Sequence, residues 1–147
     1  MQIRKGVAAI IFKSEDVPLF LVLRRVLNWK GWEFVKGSIK NEKEESAILR
    51  EIKEETSLEK VEIVHKFPEK MEYEHPTGFR QSFDFSGSSH TVFLVELLDG
   101  DIKLSSEHNA FRWLQYKEAR KILTFENQRK FLDSAMKFLK RYKYEAT

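Results

Sequence analysis

Cysteine is absent from the 147 residues, which excludes disulfides and thiol catalysis and is compatible with a reducing compartment. Long apolar runs are also absent. The longest, Val7 to Phe12 and Leu19 to Leu23, fall far short of the roughly 20 residues needed to span a bilayer. The N-terminal residues show no signal-peptide pattern. The expectation is a cytoplasmic chain with no membrane partner. No internal repeat or low-complexity linker interrupts the order. With 41% hydrophobic and 13% aromatic residues, residues 1–147 can bury one good core but hardly two, so a single domain is expected.

Net charge is only +3, but it is unevenly spread. Residues 117–147 hold nine Lys and Arg against four Asp and Glu, which leaves the rest of the chain slightly acidic. A basic C-terminal part beside carboxylates suits a polyanionic substrate. The same lysines and arginines also serve simply to solvate helices.

Two strands are expected at Ile3 to Lys13 and Pro18 to Val26, joined as a hairpin by Ser14-Glu15-Asp16. Their hydrophobicity is continuous rather than alternating, which predicts a sheet covered on both faces by helices. Asn28 to Gly31 is then a loop and Trp32 to Val35 a short strand. A helix follows from Glu42 to Thr56. Val61 to Phe67 and Lys70 to His75 read as strand broken by Pro68. The segments 78–85 and 91–98 read as a hairpin turning at Ser86-Gly87-Ser88-Ser89. Phe111 to Leu114 is a short strand, Lys117 to Leu123 a short helix, and Phe125 to Tyr142 a longer helix with an apolar stripe.

The densest chemistry lies in Arg50-Glu51-Ile52-Lys53-Glu54-Glu55-Thr56-Ser57-Leu58. On a helix, Glu51, Glu54 and Glu55 point into an arc of roughly 100°, beside an apolar stripe of Ile48, Leu49 and Ile52. Like charges at these spacings destabilise a helix by about 0.2–0.5 kcal/mol per pair, so the cluster makes better sense around a cation. Hard oxygen donors suit Mg²⁺ or Mn²⁺. Glu-rich helices with interspersed Lys and Arg are also commonly just solvated faces.

The arrangement as a whole resembles the signature of the Nudix hydrolases. In that family a Gly precedes an acidic residue, followed after seven residues by Arg-Glu-apolar-x-Glu-Glu-x-Gly-apolar; here Gly37, Glu42 and Arg50 to Leu58 stand in those places. Two departures are visible. Four residues, not five, separate Gly37 from Glu42, so the loop entering the helix is one residue short, and Ser57 replaces the Gly after the last turn. The resemblance implies an α/β (α+β) fold, an α/β/α sandwich with a mixed sheet between helices. It implies Glu51, Glu54 and Glu55 as metal ligands, with the Gly37 carbonyl a further one. Arg50 is then paired with Glu42, orienting the helix.

A second stretch, Ser105-Ser106-Glu107-His108 through Trp113-Leu114 to Glu118-Ala119, looks like the diadenosine tetraphosphate hydrolases within that family. The approach Trp32 to Gly37 agrees, with Val35 where the family has Pro. That likeness implies Glu107 as an extra ligand or water-positioning carboxylate, His108 as loop support, Lys36 and His90 as phosphate contacts, and Tyr73 and Phe138 as aromatic partners of a base. Without the likeness, Glu107 reads as a solvated loop residue and Phe138 as part of an apolar stripe. The expected activity is metal-dependent, asymmetric hydrolysis of diadenosine tetraphosphate to AMP and ATP. The alternatives are removal of pyrophosphate from the 5′ end of RNA or from nucleoside triphosphates, and a nucleotide-binding module without turnover. The oligomeric state is not encoded in these motifs.

Overall fold

The computed structural model describes residues 3–27, 29–74 and 87–141. Among the described residues seven strands and three helices run in the order β1 (Ile3–Ser14), β2 (Pro18–Arg25), β3 (Gly31–Glu33), β4 (Val35–Ser38), α1 (Glu44–Thr56), β5 (Lys60–Glu74), β6 (Gly87–Asp99), β7 (His108–Leu114), α2 (Tyr116–Ile122) and α3 (Glu126–Leu139). These seven strands belong to one mixed sheet, in which, among the described residues, only β1 and β6 pair in parallel.

Continuous hydrophobicity in β1 has the predicted consequence. Val7, Ala9 and Ile11 enter a core with Ala47, Ile48 and Ile52 of α1. Ala8, Ile10 and Phe12 enter a second core with Ala119, Leu132, Ala135 and Leu139 of α2 and α3. Helices therefore cover both faces of the sheet, the expected α/β/α sandwich.

The feature that builds the site is a wedge between β1 and β2. Their hairpin pairs only from Phe12↔Phe20 to Ser14↔Pro18. Beyond that the strands splay and residues 31–38 fill the gap, β3 pairing with β2 and β4 with β1. What reads in sequence as one short strand is thus two, hinged at the buried Phe34. Glu33 sits at the hinge, and Lys36 and Gly37 follow on β4.

Several expectations are corrected. The helix begins at Glu44, not Glu42, because Asn41 turns the chain with φ 52° and the Glu42 carboxylate accepts the Lys40 N–H at 3.0 Å. Pro68 does not break its strand. β5 runs through it as one element on the edge of the sheet, with a register shift between Lys66 and Lys70. An edge bulge tolerates a residue without an N–H. Gly87, Ser88 and Ser89 are no turn; they lie in β6, pairing with both β1 and β5. The strand expected at 78–85, His75, Asn28 and Tyr142 lie outside the described residues.

Candidate active site

Helix α1 docks on the sheet through Ala47, Ile48 and Ile52, and this turns its acidic face toward β4. Glu51 and Glu55 are buried at 8% and 6% exposure; Glu54 lies further out, its side chain 45% exposed. A Cβ at Gly37 would overlap the Glu51 carboxylate, so the missing side chain is what lets this carboxylate press against β4. Burial raises the Glu51 carboxyl above its ordinary range.

Arg50 anchors the arrangement. Its guanidinium donates to Glu42 at 2.6 Å, to Glu51 and Glu54 at 2.9 Å each, and to the Ser38 carbonyl at 2.9 Å. The positive φ of Asn41 absorbs the shortened loop, and the Arg50–Glu42 pair forms regardless. Ser57 likewise takes the left-handed conformation at the end of α1, φ 67°. Its hydroxyl donates to the Lys103 carbonyl at 3.0 Å, which Gly could not do.

That bond is one of several tying the loop before β7 to the end of α1. Lys103 N donates to Thr56 O at 2.9 Å and Ser105 N to Glu55 O at 3.2 Å. The loop thereby delivers Glu107, whose carbonyl accepts from Val26 N, and His108. Ligand atoms of Glu55, Glu107 and His108 lie within 4.8 Å of one another. The structure thus joins Gly37, Glu51, Glu54, Glu55, Arg50, Glu42 and Glu107 in one region, with the closest convergence at Glu55, Glu107 and His108 rather than within α1 alone.

Electrostatics divide these groups. Burial and the neighbouring Glu55 charge raise the Glu107 carboxyl, whereas burial of Glu55 is outweighed by hydrogen bonds from His108 and Ser105, which lower it. Burial of His108 is outweighed by hydrogen bonds to Glu33 and Glu55, raising it to about 9. Nε2 lies 2.8 Å from Glu33 Oε2 and Nδ1 lies 3.0 Å from Glu55 Oε2. A protonated ring with a carboxylate oxygen within 3.0 Å of each nitrogen is a support, not a cation ligand. The donors that fit a hard cation are carboxylate oxygens: Glu51 pressed on a glycine, Glu54 at the outer part of the same helix face, and Glu55 held beside Glu107.

Sequence reasoning missed Glu33. It is fully buried, and Arg25 Nη1 lies 3.2 Å from its Oε2 while Lys36 Nζ lies 3.6 Å from its Oε1. The pattern Trp32-Glu33-Phe34 gives no local sign of this, because all three partners come from other positions in the fold or from the far side of the hinge.

Lys36 and Tyr73 occupy the opposite face of β4. Lys36 Nζ lies 4.4 Å from the Tyr73 ring centroid, and burial lowers its ammonium below the usual range. Phe125 meets Tyr73 at 5.7 Å and Trp29 at 5.0 Å, both edge-on. Phe125 had no sequence signal, and Trp29 none that separated binding from packing. His90 is 5% exposed, in the body of β6, edge-on to Tyr73. Phe138 stacks on His65 at 4.3 Å and packs against the α3-side core. Trp32 and Trp113 pack on the two cores.

The NUDIX domain profile matches residues 2–135. An RNA pyrophosphohydrolase of a Nitratiruptor species is 33% identical over 132 residues, covering 83% of this chain and 84% of that protein. One from Campylobacter jejuni is 30% identical over 130 residues, covering 84% and 83%. Among solved structures, an Ap4A hydrolase of C. elegans superimposes with a TM-score of 0.81 over 95% of this chain and all of that one, at 24% identity, a likeness of fold. With the profile spanning nearly the whole chain and Arg50-Glu51 and Glu54-Glu55 in their places, the protein belongs to the Nudix family.

Proposed function

We propose that the protein is a divalent-metal-dependent hydrolase of phosphoanhydrides in nucleotides, and that the triphosphorylated 5′ end of RNA is its first substrate. The observation that carries the chemistry is the approach of Glu55 and Glu107 to within 4.8 Å of one another at the end of the buried acidic face of α1, with Arg25 3.9 Å from Glu107. Curated relatives at 30–33% identity, named RNA pyrophosphohydrolases, favour RNA over the dinucleotide that the sequence motifs put first. Fold likeness alone cannot choose among phosphoanhydrides.

Glu51, Glu54 and Glu55, with the Gly37 carbonyl, would hold Mg²⁺ or Mn²⁺, which when bound neutralises phosphate oxygens and makes water acidic enough to react near neutral pH. Glu107 takes the proton from the attacking water: its raised carboxyl is a better base than an ordinary glutamate. Arg50, saturated by Glu42, Glu51 and Glu54, keeps α1 in place and does not meet substrate. Arg25 and Lys36 meet phosphate oxygens of the leaving chain. Trp29 and Phe125, both half-buried, offer a base an aromatic edge next to those cations.

The segment Glu107-His108 to Trp113-Leu114 supports a second reading, asymmetric cleavage of diadenosine tetraphosphate. Product analysis separates them. A triphosphorylated oligoribonucleotide in Mg²⁺ should yield a 5′-monophosphate faster than diadenosine tetraphosphate yields AMP and ATP. The reverse order establishes the second reading, and binding of both without turnover establishes a nucleotide-binding module.

A further inference from the structure

A fully buried carboxylate is costly unless its partners hold it for a reason. Glu33, 1% exposed in its side chain, is met by three cationic groups: His108 Nε2 at 2.8 Å, Arg25 Nη1 at 3.2 Å and Lys36 Nζ at 3.6 Å. Two of these lead straight to the carboxylate cluster. His108 reaches Glu55 Oε2 through its other nitrogen at 3.0 Å, and Arg25 Nη1 lies 3.9 Å from Glu107 Oε2. The same Glu55 oxygen accepts the Ser105 hydroxyl at 2.9 Å, so an ion pair and a hydrogen bond meet on one oxygen of that carboxylate.

We propose that Glu33 is a positioning residue of the cation site, holding Glu55 through His108 and Glu107 through Arg25 although it touches neither. The inference rests on the reading of the carboxylate cluster as that site. Groups that orient ligating carboxylates in this way typically change metal affinity or activity by about 10–100-fold when altered. Without the Glu33 charge, the His108 and Arg25 cations lose their common anchor and swing toward the cluster, where they compete with the metal.

Mn²⁺ binding to the substrate-free protein, followed by calorimetry and by the electron paramagnetic resonance of the free ion, tests this. Glu33→Gln should bind Mn²⁺ about tenfold or more weakly while melting as a folded protein. Glu33 also pairs with Arg25 and Lys36, the proposed phosphate contacts, so the positioning role is read from Mn²⁺ affinity of the substrate-free protein and not from KM. His108→Gln should weaken Mn²⁺ to a similar degree, and the double variant should add little to either. Should Glu33→Gln fail to fold, Glu33→Asp keeps the charge but shortens its reach, and intermediate Mn²⁺ affinity is expected. Wild-type affinity in a folded Glu33→Gln or Glu33→Asp, or full additivity with His108→Gln, overturns the positioning role alone. No Mn²⁺ binding by the wild type overturns the metal-site reading and this inference with it.

Discussion

Gly37→Ala separates the site from the fold. Gly37 pairs with Val7 across β1 and β4, and its φ lies outside the left-handed region, so alanine fits the backbone without strain. The new Cβ overlaps the Glu51 carboxylate. That group is the far end of a flexible side chain and can move, but a normal contact near 3.5 Å requires a shift of about 1 Å or more. Leaving the preferred rotamer costs about 0.5–1.5 kcal/mol, and the loss of glycine freedom in the unfolded chain offsets about 0.4–1 kcal/mol. The net change in stability is therefore close to zero, a melting shift under about 4 °C at this chain length. A ligand displaced by about 1 Å can cost 10²-fold in turnover. Calorimetry and Mg²⁺-dependent hydrolysis read the two effects on one preparation. Hydrolysis within about threefold of wild type would refute the placement of Glu51 at the reacting centre.

Glu54→Gln should lower kcat by about 100-fold or more with little change in melting, since its exposed pair with Arg50 contributes little to stability; near-normal turnover refutes its role as a ligand. Glu107→Gln should lower kcat by about 10²–10⁴-fold as a lost general base, and unchanged hydrolysis of both RNA and diadenosine tetraphosphate would remove that loop from the catalytic apparatus. Ser57→Ala keeps the left-handed turn but loses the bond to Lys103, so the protein should be destabilised by about 0.5–1 kcal/mol in denaturant titration; an unchanged midpoint refutes the loop tie. Burial and the Lys36 charge lower His90 to about 4. The unfolded chain binds that proton from about pH 6.5 downward, so stability is lost as pH falls from about 6.5 toward 4. His90→Gln should flatten the melting profile across that window, and an identical slope would show that another group carries it.

Local pattern carried much of this molecule. Continuous apolar runs placed β1 and β2 inside a two-faced sandwich, and the Arg50 to Ser57 spacing located the acidic helix. What the sequence hid was non-local. The split of residues 31–38 into two strands depends on how far β1 and β2 splay, which no residue in the segment encodes. Gly87 to Ser89 have turn chemistry, yet pairing on both edges with β1 and β5 overrides it. Glu33 and Phe125 lack any local signature because their partners lie on other elements, Arg25, Lys36 and His108 around Glu33 and Trp29 and Tyr73 around Phe125. Glu107 stood out only through family likeness; its position follows from backbone bonds between its loop and the end of α1.

The central claim is a cation held by Glu51, Glu54 and Glu55, and Mn²⁺ soaked into crystals tests it most directly. Anomalous scattering should place an ion about 2.0–2.3 Å from carboxylate oxygens of these residues and near the Gly37 carbonyl. An ion bound only elsewhere, or none beside these carboxylates at Mn²⁺ concentrations that saturate hydrolysis, would contradict it.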